Sequence, residues 1–154
     1  MSRGFRNGIL SLGCFVALTT SAAYADQPNY IRFFTANNSA YVAYLDMNNQ
    51  SADAAGNRMV NVKIDTISDA FRDWIKQYFP GGENAAFAID PYSIDCSAKT
   101  VAEHSLAYYD ANGFPLTSHD YGGQMVTPIN GSMQFYLLER VCGGGPPATL
   151  PNRK

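Results

Sequence analysis

The chain has 154 residues, 46% of them hydrophobic and 16% charged, with 11 basic against 13 acidic residues and a formal net charge of −2. A mild acidic balance without a basic run excludes a nucleic-acid binder, whose affinity rests on cationic side chains that neutralise phosphates. The length suits one domain with one core.

In chain order, the first 25 residues have the layout of an export signal. Arg3 and Arg6 make a basic start, Gly8 to Leu18 is mainly apolar, and Ala23-Tyr24-Ala25 supplies the small residues a signal peptidase reads, with cleavage expected before Asp26. The apolar run is shorter than the roughly 20 residues a bilayer span needs. It continues past Cys14 as Phe15-Val16-Ala17-Leu18, whereas a lipidated cysteine would end it. Residues 26–154 then carry 9 basic and 13 acidic side chains, a net charge of −4, and no second apolar segment of membrane-spanning length. Two cysteines remain, Cys96 and Cys142. In an oxidising compartment such a pair is most simply a disulfide, adding about 4 kcal/mol on the chain-entropy model. The rivals, a redox pair or metal thiolates, usually need spacing as close as C-x-x-C.

Tyr30 to Thr35 and Tyr41 to Leu45 read as a hairpin broken at Asn37-Asn38-Ser39. A polar loop spans Asn48 to Gly56, and Met59, Val60, Val62 and Ile64 mark a third strand ending near Asp65. The period then changes. Ser68 is a good N-cap, Asp69 suits the first turn, and Ala70, Phe71, Trp74, Ile75, Tyr78 and Phe79 fall at helical spacing until Pro80-Gly81-Gly82. Phe87–Ile89 and Tyr92–Cys96 read as one strand bent at Pro91. Thr100–Tyr109 and Leu116–Tyr121 flank Asn112-Gly113, a dipeptide suited to a two-residue hairpin turn. Met125–Thr127 begins another short strand, and Ser132 caps a closing helix with Met133, Tyr136, Leu137 and Val141 on one face. The segment 144–154 is a flexible Gly/Pro tail, which leaves 26–143 as the single domain. Strands, a helix, more strands and a closing helix make an α+β domain with an antiparallel sheet.

Between Tyr92 and Cys142 the chain resembles the surface-adhesin protein E family of Gram-negative bacteria. The shared pieces are Asp95-Cys96, a strand carrying Ser105, Leu106, Tyr108 and Tyr109, Gly113 at the turn and Ser118 on the return. Pro128 to Gly131-Ser132 as a helix start and a closing Val141-Cys142 complete the set. Upstream, Tyr41 to Leu45 followed by Asp46 resembles that family's early strand. The resemblance implies a curved antiparallel sheet of about six strands with a C-terminal helix, joined to it by a disulfide. It also implies a periplasmic, surface-attached or secreted protein that binds host matrix or envelope components, with a homodimer within the range of assemblies. The sequence departs from the family in the Ser68–Phe79 helix and in its lack of a lipid-attachment cysteine.

Only two histidines occur, His104 and His119, both on the Asn112-Gly113 hairpin. With a two-residue turn, opposed residue numbers sum to 225, so Leu106 faces His119 and the two imidazoles become diagonal neighbours on one face. A metal site there lacks a third ligand, because Glu103 and Asp120 are expected on the opposite face. A pH-sensitive patch is the other special use of such a pair. No G-x-S-x-G stands between a strand and a helix, and no spacing of carboxylates marks an acid/base pair. Tyrosine is enriched at interfaces but also packs well in sheets. The sequence therefore predicts a non-enzymatic exported protein without cofactor or metal, presenting Tyr108, Tyr121, His104 and His119 to a macromolecular partner. The alternative is a periplasmic small-ligand or metal-binding module centred on His104 and His119.

Overall fold

Alternation along β4 (Arg58–Thr66) sets the two sides of the sheet. Val60, Val62, Ile64 and Thr66 are buried on the inner side, while Met59, Asn61, Lys63 and Asp65 are half-buried on the outer side. Its neighbours keep that parity. β2 (Tyr41–Asp46) sets Leu45 against Val62 and Ala43 against Ile64, and β5 (Phe87–Asp95) sets Tyr92 against Val60 and Ala88 against Ile64. The computed structural model describes residues 28–36, 39–66 and 68–143; the expected export signal, 1–25, and the Gly/Pro tail, 144–154, lie outside them.

β1 (Tyr30–Thr35) joins the outer edge of β2, and β7 (Ser105–Tyr109) joins β5 and carries β8 (Pro115–Asp120). The open antiparallel sheet runs β1-β2-β4-β5-β7-β8, with the short β3 (Ser51–Ala52) beside β4 and β6 (Thr100–Glu103) beside β5. The α+β expectation holds, with six strands along the main path. The two extra strands come from the supposed loop at Asn48–Gly56 and from a break in the expected Thr100–Tyr109 strand. Met125–Thr127 forms no strand; Val126 makes a single bridge to Val101.

Pro91 causes the break. In a strand a residue's N–H and C=O point to the same neighbour, and the Pro91 carbonyl accepts from the His104 backbone N–H at 3.1 Å. The missing donor therefore lies on the β6–β7 side. The chain responds with an extra residue: Glu103 and Leu106 both keep the inner face, with His104 and Ser105 between them. Gly123, at φ +66°, packs so closely there that a Cβ would sit 2.6 Å from His104 Nδ1.

The Asn112-Gly113 turn also differs from expectation. Only Gly113 takes positive φ, Asp110 Oδ1 accepts from the N–H groups of Asn112 and Phe114, and Asp110 N–H donates to the Phe114 carbonyl. This is a three-residue loop with a glycine bulge. A register shift between Tyr108 and Tyr109 compensates, so Leu106 still faces His119 as the simpler turn requires.

Both helices pack on the inner face. α1 (Asp69–Tyr78) is capped by Ser68 Oγ, which accepts from Phe71 N–H at 3.2 Å, and it buries Ile75. Gly82 permits that seat, since a Cβ there would fall 2.8 Å from Ile75 Cγ2. α2 (Met133–Gly143), capped by Ser132, buries Met133, Leu137, Leu138 and Val141. Ring contacts Tyr41–Phe71 at 5.0 Å, Phe79–Tyr108 at 5.1 Å and Phe34–Tyr136 at 5.6 Å tie the helices and their ends to the sheet. The Cys96–Cys142 disulfide, Cα to Cα 5.4 Å, fastens the end of β5 to the last turn of α2. Arg58 Nη1 donates to the Val141 carbonyl at that same end. No described helix is long and apolar enough to cross a membrane.

Candidate functional site

Where α1 and α2 leave the inner face uncovered, a cavity of about 340 Å³ opens. Its floor is built by register. Tyr92 and Glu103 are direct partners across β5 and β6, and Asp90 lies two residues before Tyr92 on the same face. Asp90 and Glu103 are therefore diagonal neighbours, within side-chain reach. Tyr108 and Leu106 of β7 complete the floor on one side, and Ile64 and Ala88 lie beneath. The walls are Tyr41 from β2, Phe71 and Trp74 from α1, and Met133 and Gln134 from α2. Trp74, 42% exposed and stacked on Phe71 at 5.5 Å, stands at the rim.

Polar groups on this floor are poorly satisfied. Asp90 is 1% exposed, and its Oδ1, like the hydroxyls of the buried Tyr92 and Tyr108, has no hydrogen-bond partner in the protein. Leaving such a group unpaired costs about 1–3 kcal/mol. Asp90 and Tyr92 are near enough to affect each other's acidity, but their rotamers do not join these two oxygens in a bond of sound geometry. Burial, reinforced by the nearby Glu103 charge, pushes the Asp90 carboxyl up to about 9. Burial also raises Glu103, against the opposing influence of the nearby polar groups of Asp90, Gln134 and Tyr92 and of His119. Tyr92 and Tyr108 are raised as well, first by burial. Asp90 is thus a neutral acid at pH 7. None of the described residues lining the cavity is basic.

The four residues expected to share a binding face do not all do so. Tyr108 is on the cavity floor, buried instead of presented. His119 and Tyr121 stay on the inner face, ring to ring at 4.6 Å, and Phe79 lies 5.9 Å from His119. His104 is on the outer face, because the bulge opposite Pro91 reverses its parity; there its Nε2 lies 2.6 Å from Ser93 Oγ. A site centred on both histidines is therefore not formed. Glu103 is on the inner face, contrary to the expectation that it points away from His119, since its partner is Tyr92.

Ser93 and His104 have the contact distance of a nucleophile and its base, but Ser93 is 3% exposed and His104 Nδ1 lies against Gly123. A substrate carbonyl has no path to that hydroxyl. Among the described residues no three His, Cys, Asp or Glu side chains converge as metal ligands.

Sequence reasoning missed the carboxyl pair. Asp90 carries a legible signal: it occupies the buried parity of a strand, between Ala88 and Tyr92. Glu103 carries none without the β5–β6 register, because its partner is 11 residues away in sequence. Compared with known proteins, the chain matches no family model, no curated relative and no solved structure.

Proposed function

We propose that the chain is a non-catalytic binding module that holds a small ligand in the cavity between α1, α2 and the sheet. One observation carries this: Asp90 Oδ1 and the Tyr92 and Tyr108 hydroxyls are buried, lack protein partners and line an aromatic-walled cavity. Concave, largely apolar pockets with a few convergent polar groups are the usual form of a small-molecule site, and the volume lies at the small end of the usual range, about 300–1,000 Å³. This moves the small-ligand alternative from the histidine pair to the carboxyl pair. The module acts outside the cytosol; the signal-like first 25 residues and the Cys96–Cys142 disulfide both support an oxidising compartment.

The macromolecular partner implied by the adhesin E resemblance has support on the outer face. There Phe87 and Tyr109 stack at 5.2 Å, and Lys63 lies over the rings of Tyr30, Tyr44 and Phe87. That face is the second candidate.

Trp74 is the only tryptophan of the chain, so its fluorescence reports on the cavity rim alone. Disulfide-intact protein titrated with a fragment panel of cationic, neutral and anionic compounds should show a saturable Trp74 shift for at least one class. Gln134→Phe, which fills the α2 wall, should abolish it. Silence across all three classes, or a shift that survives Gln134→Phe, overturns the pocket assignment. Recovery of a chemically altered fragment overturns its non-catalytic part.

A further inference from the structure

We infer that the ligand of this cavity is a small organic cation, an alkyl-substituted ammonium set among the aromatic walls with its charge against the Asp90–Glu103 pair. This rests on the pocket assignment above and deepens it.

Charge gives the first reason. Two carboxyl side chains share the floor, and no described lining residue is basic. An anionic ligand would meet repulsion from any ionised member of the pair without a compensating cation, whereas an ammonium would offset the cost of burying it. Ring chemistry gives the second. Tyr41, Phe71, Trp74, Tyr92 and Tyr108 surround the same space, and aromatic faces attract a cation, more strongly once it is desolvated. The unpartnered Asp90 Oδ1 and the tyrosine oxygens can all accept hydrogen bonds from an ammonium N–H.

The outer face of the same sheet supplies an internal precedent. Lys63 Nζ lies 5.1 Å from the centroid of Phe87, 5.7 Å from Tyr30 and 5.9 Å from Tyr44, with Asp65 Oδ1 at 2.6 Å. Aromatic rings and a carboxylate there hold an ammonium that the chain itself provides. The inner cavity repeats those partners with two carboxyl groups and more rings, but the ammonium must come from another molecule.

Ionisation follows binding. A cation favours the charged carboxylate, so a proton leaves the pair when the ligand enters, and affinity rises with pH toward about 9, where Asp90 titrates. The groups facing the pair are Tyr92 on its own strand, Tyr41 from β2, Tyr108 from β7 and, toward β8, His119 and Tyr121. α1 presents the neutral Phe71 and Trp74, and α2 the neutral Gln134. Repeating the titration in His119→Asn removes the one imidazole among them.

Tetramethylammonium, choline and butylammonium are the cationic probes, and 3,3-dimethylbutan-1-ol is the uncharged isostere of choline. Trp74 fluorescence and calorimetry at pH 6 and pH 8 should show at least one cation binding about tenfold more tightly than the isostere at pH 8. The preference should weaken at least threefold at pH 6, with proton release visible as a buffer-dependent heat. Asp90→Asn and Glu103→Gln should each erase the preference; Glu103 is the less buried, so its variant guards against a folding failure at Asp90. Failure of every ammonium probe to bind more tightly than the isostere overturns the cation inference and leaves the pocket assignment standing. So does binding by a neutral or anionic fragment when no ammonium probe binds. Binding by no compound of any class overturns both.

Discussion

The two faces of this sheet use the same residue types with opposite results. On the outer face, the charged and imidazole groups are paired: Lys63 meets Asp65 at 2.6 Å, and Ser93 Oγ lies 2.6 Å from His104 Nε2 and 2.8 Å from Met59 Sδ, while the Thr35 hydroxyl near the sheet edge is left without a partner. On the inner face, Asp90, Tyr92 and Tyr108 are more deeply buried, yet one carboxyl oxygen and two hydroxyls have no protein partner. Stability alone would select the outer arrangement, because an unpaired buried polar group is among the costlier features a fold can keep. Isolated unsatisfied hydroxyls occur at Thr35 and Thr66 as well, so it is the convergence of three such groups on one cavity that marks a site, and the paired histidine of the outer face is the weaker functional signal.

The sharpest way to test this division is to loosen what covers the inner face. The disulfide ties α2 to β5, and opening a loop of sequence separation 46 should cost about 4 kcal/mol. Replacing both cysteines by alanine, followed by urea unfolding, should show that loss. Amide exchange in the native state should speed up first along Met133–Val141 and only later in β4. Uniform acceleration across both would mean that the faces are not separately held. The next largest effect should come from Ile75→Ala, at about 2–4 kcal/mol, since this is the residue α1 buries fully and its loss leaves a cavity under Gly82. Trp74 emission should shift to the red as α1 lifts; an unchanged spectrum would show that α1 does not depend on that anchor.

Asp90 gives a third, pH-dependent test. Its carboxyl titrates at about 9 in the folded chain and at about 4 unfolded, so between these values the folded state binds the extra proton. Stability must then fall as pH rises through that window, the reverse of a salt-bridged aspartate. Asp90→Asn should flatten the decline and exceed the parent at pH 9 by at least about 1 kcal/mol, roughly the free energy of a tenfold change in proton affinity. Thermal melts at pH 5, 7 and 9 measure it. A parent protein that grows more stable over that range would show Asp90 to be ionised and paired.

Much of this architecture was open to a reader of the chain, because period-two burial in β4, the Ser68 and Ser132 caps and the paired cysteines are local signals with strong physical causes. What stayed hidden depends on alignment between strands. His104 changes face through a bulge opposite Pro91, and although proline was visible as a ladder breaker, the side on which its donor is missing was not. Glu103 reaches the cavity floor only through its pairing with Tyr92, which no spacing rule links to it. The turn at Asn112-Gly113 illustrates the opposite case: a wrong loop length and an unforeseen bulge cancelled, and Leu106 still met His119.

The smallest effect belongs to the outer face. Lys63→Met removes an ammonium that is 26% exposed, a contact to Asp65 that is itself 34% exposed, and three ring interactions, while keeping most of the aliphatic stem. Pairs this accessible contribute about 0–1 kcal/mol, and ring–cation contacts at exposed sites about 0.5–1 kcal/mol. The substitution should therefore lower stability by about 1 kcal/mol, with part of that difference disappearing in 1 M salt as the Asp65 contact is screened. Ligand titrations read at Trp74 should be unchanged, since Lys63 and the cavity lie on opposite sides of β4. A variant that lost its Trp74 response would show that the outer ammonium shapes the inner floor through Val62 and Ile64, its neighbours along the strand, and the two faces would have to be treated as one site.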